Sequence, residues 1–213
     1  MKPRIWQIVV LVGALCFLSG VVGWLIGRPS DEKFSDVDIG FLSDMQYHHG
    51  GAVGLAFAYL ADQHDSLISQ MAREIVVDQS QEITTMNDYL DDAGGMDDPK
   101  VNDNVAMDWM GLPVPKDRMP GMPTAPQTDA LRAATGVQRD DLFTQLMIEH
   151  HAAGVGMADY EAEHGENGAV RALATNMAKL QRSEIAEMNT RRKFLGLEPI
   201  DATALEQLHA HAN

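Results

Sequence analysis

The chain has 213 residues and a formal net charge of −15, a length that allows one or two domains with a substantial core. A surface this acidic repels nucleic acid and anionic lipid, which excludes both as binding partners, and it attracts metal cations. The single cysteine excludes a disulfide framework and a metal site built from several thiolates.

The first 33 residues differ in composition from the rest of the chain. Lys2 and Arg4 precede an uncharged apolar run from Ile5 to Gly27, which as a helix of roughly 34 Å would cross a bilayer. We find no convincing cleavage site, so we predict an uncleaved transmembrane anchor over residues 1–33, with a cleaved signal sequence as the alternative. The basic N-terminus would stay in the cytoplasm, and residues 34–213 would lie outside.

Apolar residues at helical spacing predict two helical hairpins after this anchor. Residues 36–62 and 66–91 form the first hairpin, and residues 138–163 and 169–195 form the second, which Gly196 ends. Shorter helices are predicted at 128–135, capped by Thr128, and at 202–211. The prediction is therefore an all-α fold, a four-helix bundle over residues 34–200 followed by a C-terminal tail at 201–213.

The predicted crossover linker at 91–128 is rich in proline, glycine and methionine. A connection of this length without regular periodicity is usually functional or flexible. Two methionine pairs in it have either of two roles: exposed thioethers that catch Cu(I), or side chains that pack the loop onto the bundle. These pairs are Met107-x-x-Met110 and Met119-x-x-Met122. Trp109 is expected to pack the linker onto the bundle.

One histidine motif occurs twice. Met45-Gln-Tyr-His48-His49 recurs as Met147-Ile-Glu-His150-His151. A second block recurs at the same offset, because Gln79-x-x-Glu82-Ile-x-x-Met86 returns as Gln181-x-x-Glu184-Ile-x-x-Met188. Such a duplication implies approximate two-fold symmetry, which would bring the two His-His segments together in the middle of the bundle.

Imidazole next to thioether, with no cysteine outside the apolar segment, points to a metal site. Thioether with imidazole favours Cu(I), whereas carboxylate with imidazole favours zinc, iron or manganese. Adjacent helical residues point about 100° apart, so we do not expect His48 and His49 to point along one line toward the same metal. One histidine of each pair should face the bundle centre, and the other a groove or the outer surroundings of the site. Glu82 and Glu184 either bind the metal or orient an imidazole. The alternatives are buried hydrogen-bonding histidines, methionines that only fill the core, and glutamates in salt bridges.

These motifs resemble the bacterial family numbered 305 among the domains of unknown function, over about residues 36–195. The linker contributes to the resemblance through Met119-Pro-Gly-Met122. The resemblance implies a ferritin-like four-helix fold outside the cytoplasm, and copper binding or copper tolerance through Met and His in some members.

Carried over to this chain, the resemblance and the motifs together give one set of candidate metal ligands. Leu55 stands where the repeat would place a second methionine opposite Met157, so two equivalent sites are not expected. The ferritin-type Glu-x-x-His pair is absent, because Thr85 and Glu187 follow the two glutamates. The candidate ligands are His48, His49, His150, His151, Met45, Met147, Met157, Glu82 and Glu184.

The function that these observations favour is a membrane-anchored extracytoplasmic metal-binding protein for copper sequestration, delivery or tolerance. Its partners would be metal ions, Cu(I) first and zinc or iron next, and the membrane through the N-terminal helix. Two alternatives stay open: a metal-dependent redox enzyme of ferritin-like fold, and a non-catalytic accessory subunit of a membrane complex.

Overall fold

A computed structural model of the chain describes residues 33–62, 66–95, 101 and 104–207. The fold is all-α, as predicted, with four long helices within these ranges and a crossover that joins two hairpins. A two-residue antiparallel pair and two 3₁₀ turns, Asp108–Met110 and Lys116–Arg118, lie in the crossover. The elements are α1 (Asp36–Leu60), α2 (Leu67–Asp92), β1 (Val105–Ala106), β2 (Val114–Pro115), α3 (Ala125–Ala133), α4 (Gly136–His164), α5 (Gly168–Phe194) and α6 (Thr203–Glu206).

Local capping explains where the long helices begin and end. Ser35 and Ser66 each form a capping box at the starts of α1 and α2, and Asn167 accepts hydrogen bonds from two backbone N–H groups at the start of α5. These contacts satisfy N–H groups that have no partner within the helix. Beyond α5, Gly196 adopts a left-handed φ of 74°, which only glycine tolerates readily. The predicted bounds of these helices therefore hold to within a few residues.

The short helix α3 starts earlier than predicted. Its N-cap is Thr124, whose side chain accepts from the backbone N–H of Gln127, and Pro126 lies in its first turn. The prediction of Thr128 as the cap was wrong, because Pro126 was read as part of the linker although proline suits the first turn of a helix. The described part of the predicted tail helix is limited to α6, and residues 208–213 lie outside the described ranges.

The two hairpins pack through α1 and α4, which run antiparallel. The last turn of α1 meets the start of α4, where the rings of Tyr59 and Phe143 have centroids 4.4 Å apart. The first turn of α1 meets the start of α5, where Asp38 accepts from the Asn167 N–H at 3.0 Å. Residues near the middle of α1 and α4 therefore face each other across the centre of the bundle.

The apolar core forms two clusters, one toward each end of this α1–α4 contact. Met45 and Met157 belong to the first cluster, whereas Met147 and Leu55 belong to the second. The leucine that replaces the expected methionine therefore removes a thioether from the second cluster. Among the described residues, the first cluster also buries the crossover methionines Met107, Met110 and Met119.

A buried carboxylate holds the crossover against α1. Asp44 accepts hydrogen bonds from the Met107 N–H at 2.7 Å and from the Trp109 indole N–H at 2.8 Å. Met107 has a φ of 63°, a conformation that is rare for residues other than glycine. Trp109 packs edge-on against Phe41. Its side chain also packs against Gly40, where a Cβ would lie only 2.5 Å from the indole ring, so position 40 has no room for a side chain. The expectation that Trp109 packs the linker onto the bundle agrees with these contacts.

None of the helices in the described ranges is long and apolar enough to cross a membrane. The predicted anchor over residues 1–33 falls on residues that, apart from Lys33, lie outside those ranges. It stays a prediction from the sequence.

Two buried carboxyl groups meet where α1 begins and α4 ends. Burial, reinforced by the neighbouring Asp38, raises the pKa of Glu161 to about 9. Burial alone would raise the pKa of Asp38 too, but hydrogen bonds from Ser35 and Asn167 lower it. Asp38 is therefore the ionised partner and Glu161 the protonated one. Gly165 leaves the space they need, because a Cβ there would lie 2.1 Å from Glu161 Oε1.

We expect the replacement Glu161→Gln to flatten the pH dependence of stability. Because the folded-state pKa lies above the ordinary value of 4.5, the stability that protonated Glu161 contributes is complete below pH 4.5 and is lost as the pH rises toward 9. Guanidinium denaturation of the full chain in detergent, repeated at several pH values, gives the free energy of unfolding as a function of pH. Between pH 4.5 and 9, this free energy should fall less steeply in Glu161→Gln than in the wild type, by at most about 1.4 kcal/mol per pH unit. Glu163→Gln, at an exposed neighbouring position, is the control. Equal slopes for the wild type and Glu161→Gln would contradict this assignment.

Candidate metal centre

All four tandem histidines lie in the interior of the bundle. His48, His49, His150 and His151 each have a relative exposure of 0%. The middle of α1 supplies the first pair and the middle of α4 supplies the second. The rings of His48 and His150 stack at a centroid distance of 3.7 Å and an interplanar angle of 17°, as expected for one histidine of each pair facing the bundle centre.

The two rings within each pair also stand close to each other. The ring centroids of His48 and His49 are 6.5 Å apart, and those of His150 and His151 are 6.2 Å apart. The rings are tilted by 49° and 56°, respectively. The two pairs therefore have nearly the same ring separation, although neighbouring helical side chains point about 100° apart.

A glutamate on the partner helix holds the outer histidine of each pair. His49 Nε2 lies 2.7 Å from Glu82 Oε2, and His151 Nε2 lies 2.8 Å from Glu184 Oε2. A carboxylate oxygen accepts, so Nε2 carries the proton in both rings. In the neutral ring this leaves the lone pair on Nδ1. The structure thus places Glu82 and Glu184 where they orient an imidazole, one of the two roles expected for them.

The crossover holds the two inner histidines. His48 Nε2 lies 3.3 Å from the Pro120 carbonyl oxygen, and His150 Nδ1 lies 3.0 Å from the Gly121 carbonyl oxygen. Carbonyl oxygens only accept, so these ring nitrogens carry the protons and the lone pairs lie on His48 Nδ1 and His150 Nε2. The 119–122 loop, Met119-Pro120-Gly121-Met122, therefore fixes both tautomers.

Burial keeps the inner rings neutral. Burial and the nearby His49 lower the pKa of His48 to about 3. Burial and the stacked His48 ring hold the pKa of His150 well below its ordinary value. A neutral imidazole is the form that ligates a metal ion, because protonation removes the lone pair.

Each of the four rings keeps one nitrogen without a hydrogen-bond partner among the described protein atoms. These nitrogens are His48 Nδ1, His49 Nδ1, His150 Nε2 and His151 Nδ1. Buried polar atoms in proteins are nearly always paired, and a set of exceptions in one place needs a reason. For all four histidines, the unpartnered nitrogen is the one that the tautomer argument leaves with the lone pair.

An acidic cluster formed by Glu82 and Asp78 on α2 and Glu184 on α5 lies next to the outer histidines. The side chains of Glu82 and Glu184 are 19% and 13% exposed, so they connect the buried rings to the surface. Burial and the carboxylates of Glu184 and Glu82 raise the pKa of the nearby Asp78. The acidic cluster concentrates negative charge and attracts cations toward the histidines.

The structure does not gather all predicted ligands in one place. Within the described ranges, no group of three or more His, Cys, Asp or Glu side chains is arranged to hold a metal ion. Met45 and Met157 are buried in the first apolar cluster and Met147 in the second. Packing accounts for these positions, and their role as ligands stays a prediction.

The contact of the 119–122 loop with the histidines is not predictable from the sequence motifs. The two carbonyl groups that fix the inner tautomers belong to residues whose side chains carry no chemistry, so no motif reveals them. Met119 is 2% exposed, contrary to the option of an exposed thioether pair, whereas Met122 is half-buried near His150. The one available signal was Gly121 between methionines, since its φ of 78° allows the close approach to α4.

Comparison with known proteins agrees with this architecture. Residues 38–192 match the family described as Domain of unknown function (DUF305). The chain is similar to a DUF305 protein from Streptomyces coelicolor, with 32% identity and a TM-score of 0.69 over 78% of this chain and 97% of that one. A DUF305 fragment from Deinococcus radiodurans shares the fold at 23% identity and a TM-score of 0.62, over 77% and 98% of the two chains.

A third solved structure carries a metal. The chain is similar to CopM in the Cu(I)-bound form, with 25% identity and a TM-score of 0.53 over 74% of this chain and 96% of CopM. No curated protein matches the chain. The family resemblance expected from the tandem motifs is confirmed by these matches.

The two inner histidines should be neutral and should carry their protons on different nitrogens. Long-range ¹H–¹⁵N correlation spectra of the full chain in detergent should show His48 protonated at Nε2 and His150 protonated at Nδ1. Because burial opposes the charged ring, neither should titrate between pH 5 and 8. Titration of either ring in that range, or the same tautomer for both, would show that the 119–122 loop does not bond them as described.

Proposed function

This chain belongs to the DUF305 family, and from the geometry of its buried histidines we propose that it binds monovalent copper, one ion within each tandem pair. The observation that carries the proposal is the set of four buried imidazole nitrogens that hold lone pairs and have no protein partner among the described residues. A bound cation would satisfy them. The CopM structure supports the proposal, since that relative holds Cu(I).

The spacing within each pair fits an ion between the two rings. A ring nitrogen lies about 1.2 Å from its ring centre and a metal–imidazole bond is about 2 Å long, so two rings that share an ion head-on have centres about 6.4 Å apart. The observed separations are 6.5 Å and 6.2 Å. The stacked pair of His48 and His150 does not fit in this way, because lone pairs lie in the ring plane and not on its face.

The donor set selects the kind of metal. Zinc in structural sites takes four ligands in a tetrahedron, whereas the described residues offer no group of three or more His, Cys, Asp or Glu. Cu(I) and Ag(I) accept low coordination numbers and favour nitrogen and thioether ligands over carboxylate. The ligands of the proposal are His48 with His49 and His150 with His151, and Glu82 and Glu184 orient the outer ring of each pair.

The biological role that follows is sequestration or delivery of copper, with tolerance as the consequence. The buried histidine pairs exclude water from the ion, and the acidic cluster of Glu82, Glu184 and Asp78 attracts it. The apolar run from Ile5 to Gly27 supports anchorage to the cell membrane, with the metal-binding part outside the cytoplasm. Binding outside the cytoplasm would capture the ion before it acts inside the cell.

Removal of one tandem pair should remove one ion. Native mass spectrometry of the full chain loaded with Ag(I) or Cu(I) should show one ion fewer in His48→Gln/His49→Gln and in His150→Gln/His151→Gln, and none in the fourfold variant. Glutamine keeps a hydrogen-bond donor in each place, and thermal melts report whether the variants fold. His164→Gln, at an exposed histidine, is the matched control and should bind as the wild type does. Full loading of a folded fourfold variant would end the proposal.

The anchor has its own test. Membranes from cells that express the full chain should retain it after an alkaline carbonate wash, and the N-terminal sequence of the retained protein should begin within the first few residues. The reason is that an uncleaved apolar helix partitions into the bilayer. A soluble product that begins near residue 30 would show instead that the segment is a cleaved signal sequence.

A further inference from the structure

A glycine in α1 makes room for a sulfur atom next to His150. A Cβ placed on Gly51 would lie 2.9 Å from Met122 Sδ and 3.5 Å from His150 Cε1. A methyl group does not fit at that distance from the sulfur, so the thioether occupies space that any other residue at position 51 would fill. The ring carbon near this point, Cε1, is bonded to both ring nitrogens, of which His150 Nε2 is the unpartnered one.

The backbone of the 119–122 loop fixes where Met122 lies. Gly121 adopts a φ of 78°, and a Cβ on it would lie 2.8 Å from His150 Cα and 2.9 Å from Ala153 Cβ. Its carbonyl accepts from His150 Nδ1 at 3.0 Å. The loop is therefore pressed against α4 at His150, and the residue that follows Gly121 has its side chain at the same histidine.

The same contact does not recur at the corresponding position of the second repeat. Ala153 corresponds to Gly51 by the offset that relates the tandem motifs, and its Cβ faces the backbone of Gly121. A single loop spans both inner histidines. It accepts hydrogen bonds from His48 and His150 through the Pro120 and Gly121 carbonyl groups, and it carries the Met122 thioether, which lies near His150.

We propose that Met122 Sδ is a third ligand to the monovalent ion held by His150 and His151. This proposal rests on the proposed function, because it adds a ligand to one of the two histidine pairs. Thioether is a soft donor that prefers Cu(I) and Ag(I) to zinc. The second pair is then a three-ligand site that holds its ion more tightly than the first pair, and the two ions leave the protein at different rates.

The test is X-ray absorption at the copper K-edge on the full chain in detergent, loaded with one equivalent of Cu(I) so that the tighter site fills first. The wild type should show a sulfur scatterer at about 2.3 Å besides nitrogen. Met122→Leu keeps the size of the side chain and should lose that scatterer, with about a tenfold loss of Cu(I) affinity in competition with a chromogenic chelator. Met119→Leu, in the same loop but buried in the first apolar cluster, is the matched control and should keep both.

Gly51→Ala provides the second variant. Its methyl group displaces the Met122 sulfur while the methionine remains, so it should lose the scatterer as Met122→Leu does. If Met122→Leu does not fold, as judged by its thermal melt, Gly51→Ala and the wild-type spectrum decide the question. A wild-type spectrum with nitrogen alone, or a sulfur scatterer that persists in either folded variant, would show that Met122 is not a ligand. Ion binding by the two histidine pairs would be unaffected by that result. A wild type that binds neither Cu(I) nor Ag(I) would instead overturn the proposed function, and the third ligand with it.

Discussion

The constraint on which the site depends is the burial of four imidazoles, each with a ring N–H that needs an acceptor. The fold supplies such an acceptor for every ring. Glu82 and Glu184 accept from the outer histidines, His49 and His151, and two carbonyl groups of the crossover accept from the inner histidines. Each acceptor fixes a tautomer and leaves one lone pair in the interior. Leaving such atoms unpaired costs free energy of about 1–3 kcal/mol each, so their persistence in one place favours a ligand that completes them.

The crossover is part of the site because it is fixed at two points along α1. Asp44, one turn before His48, binds the backbone of Met107 and the indole of Trp109. Farther along, the 119–122 loop bonds the inner histidines themselves. A segment that looks like a flexible linker in the sequence is thereby held as a cover over the bundle centre. The same attachment explains why Met107, Met110 and Met119 are buried in the first apolar cluster.

The sequence predicted the helical fold well because the four long helices carry regular apolar spacing, three of them begin with a serine or asparagine cap, and a glycine at position 196 follows the last one. It also located the tandem histidines, since a repeated His-His block is visible as residue types. It did not predict the start of α3, where Pro126 suits both a linker and a first helical turn. Nor did it predict the part played by Pro120 and Gly121, which act through backbone carbonyls, or by Gly51, which acts through the absence of a side chain. Interactions of these kinds depend on tertiary placement and leave little trace in residue type.

Each tandem pair is proposed to bind one monovalent ion between its two unpartnered ring nitrogens. A crystal structure of the Ag(I)-loaded protein, with anomalous difference maps, would locate these ions. We expect one peak between His48 Nδ1 and His49 Nδ1 and another between His150 Nε2 and His151 Nδ1. Silver found only at surface carboxylates, or only at methionines while the histidine rings stay unliganded, would show that the tandem pairs do not bind the ion.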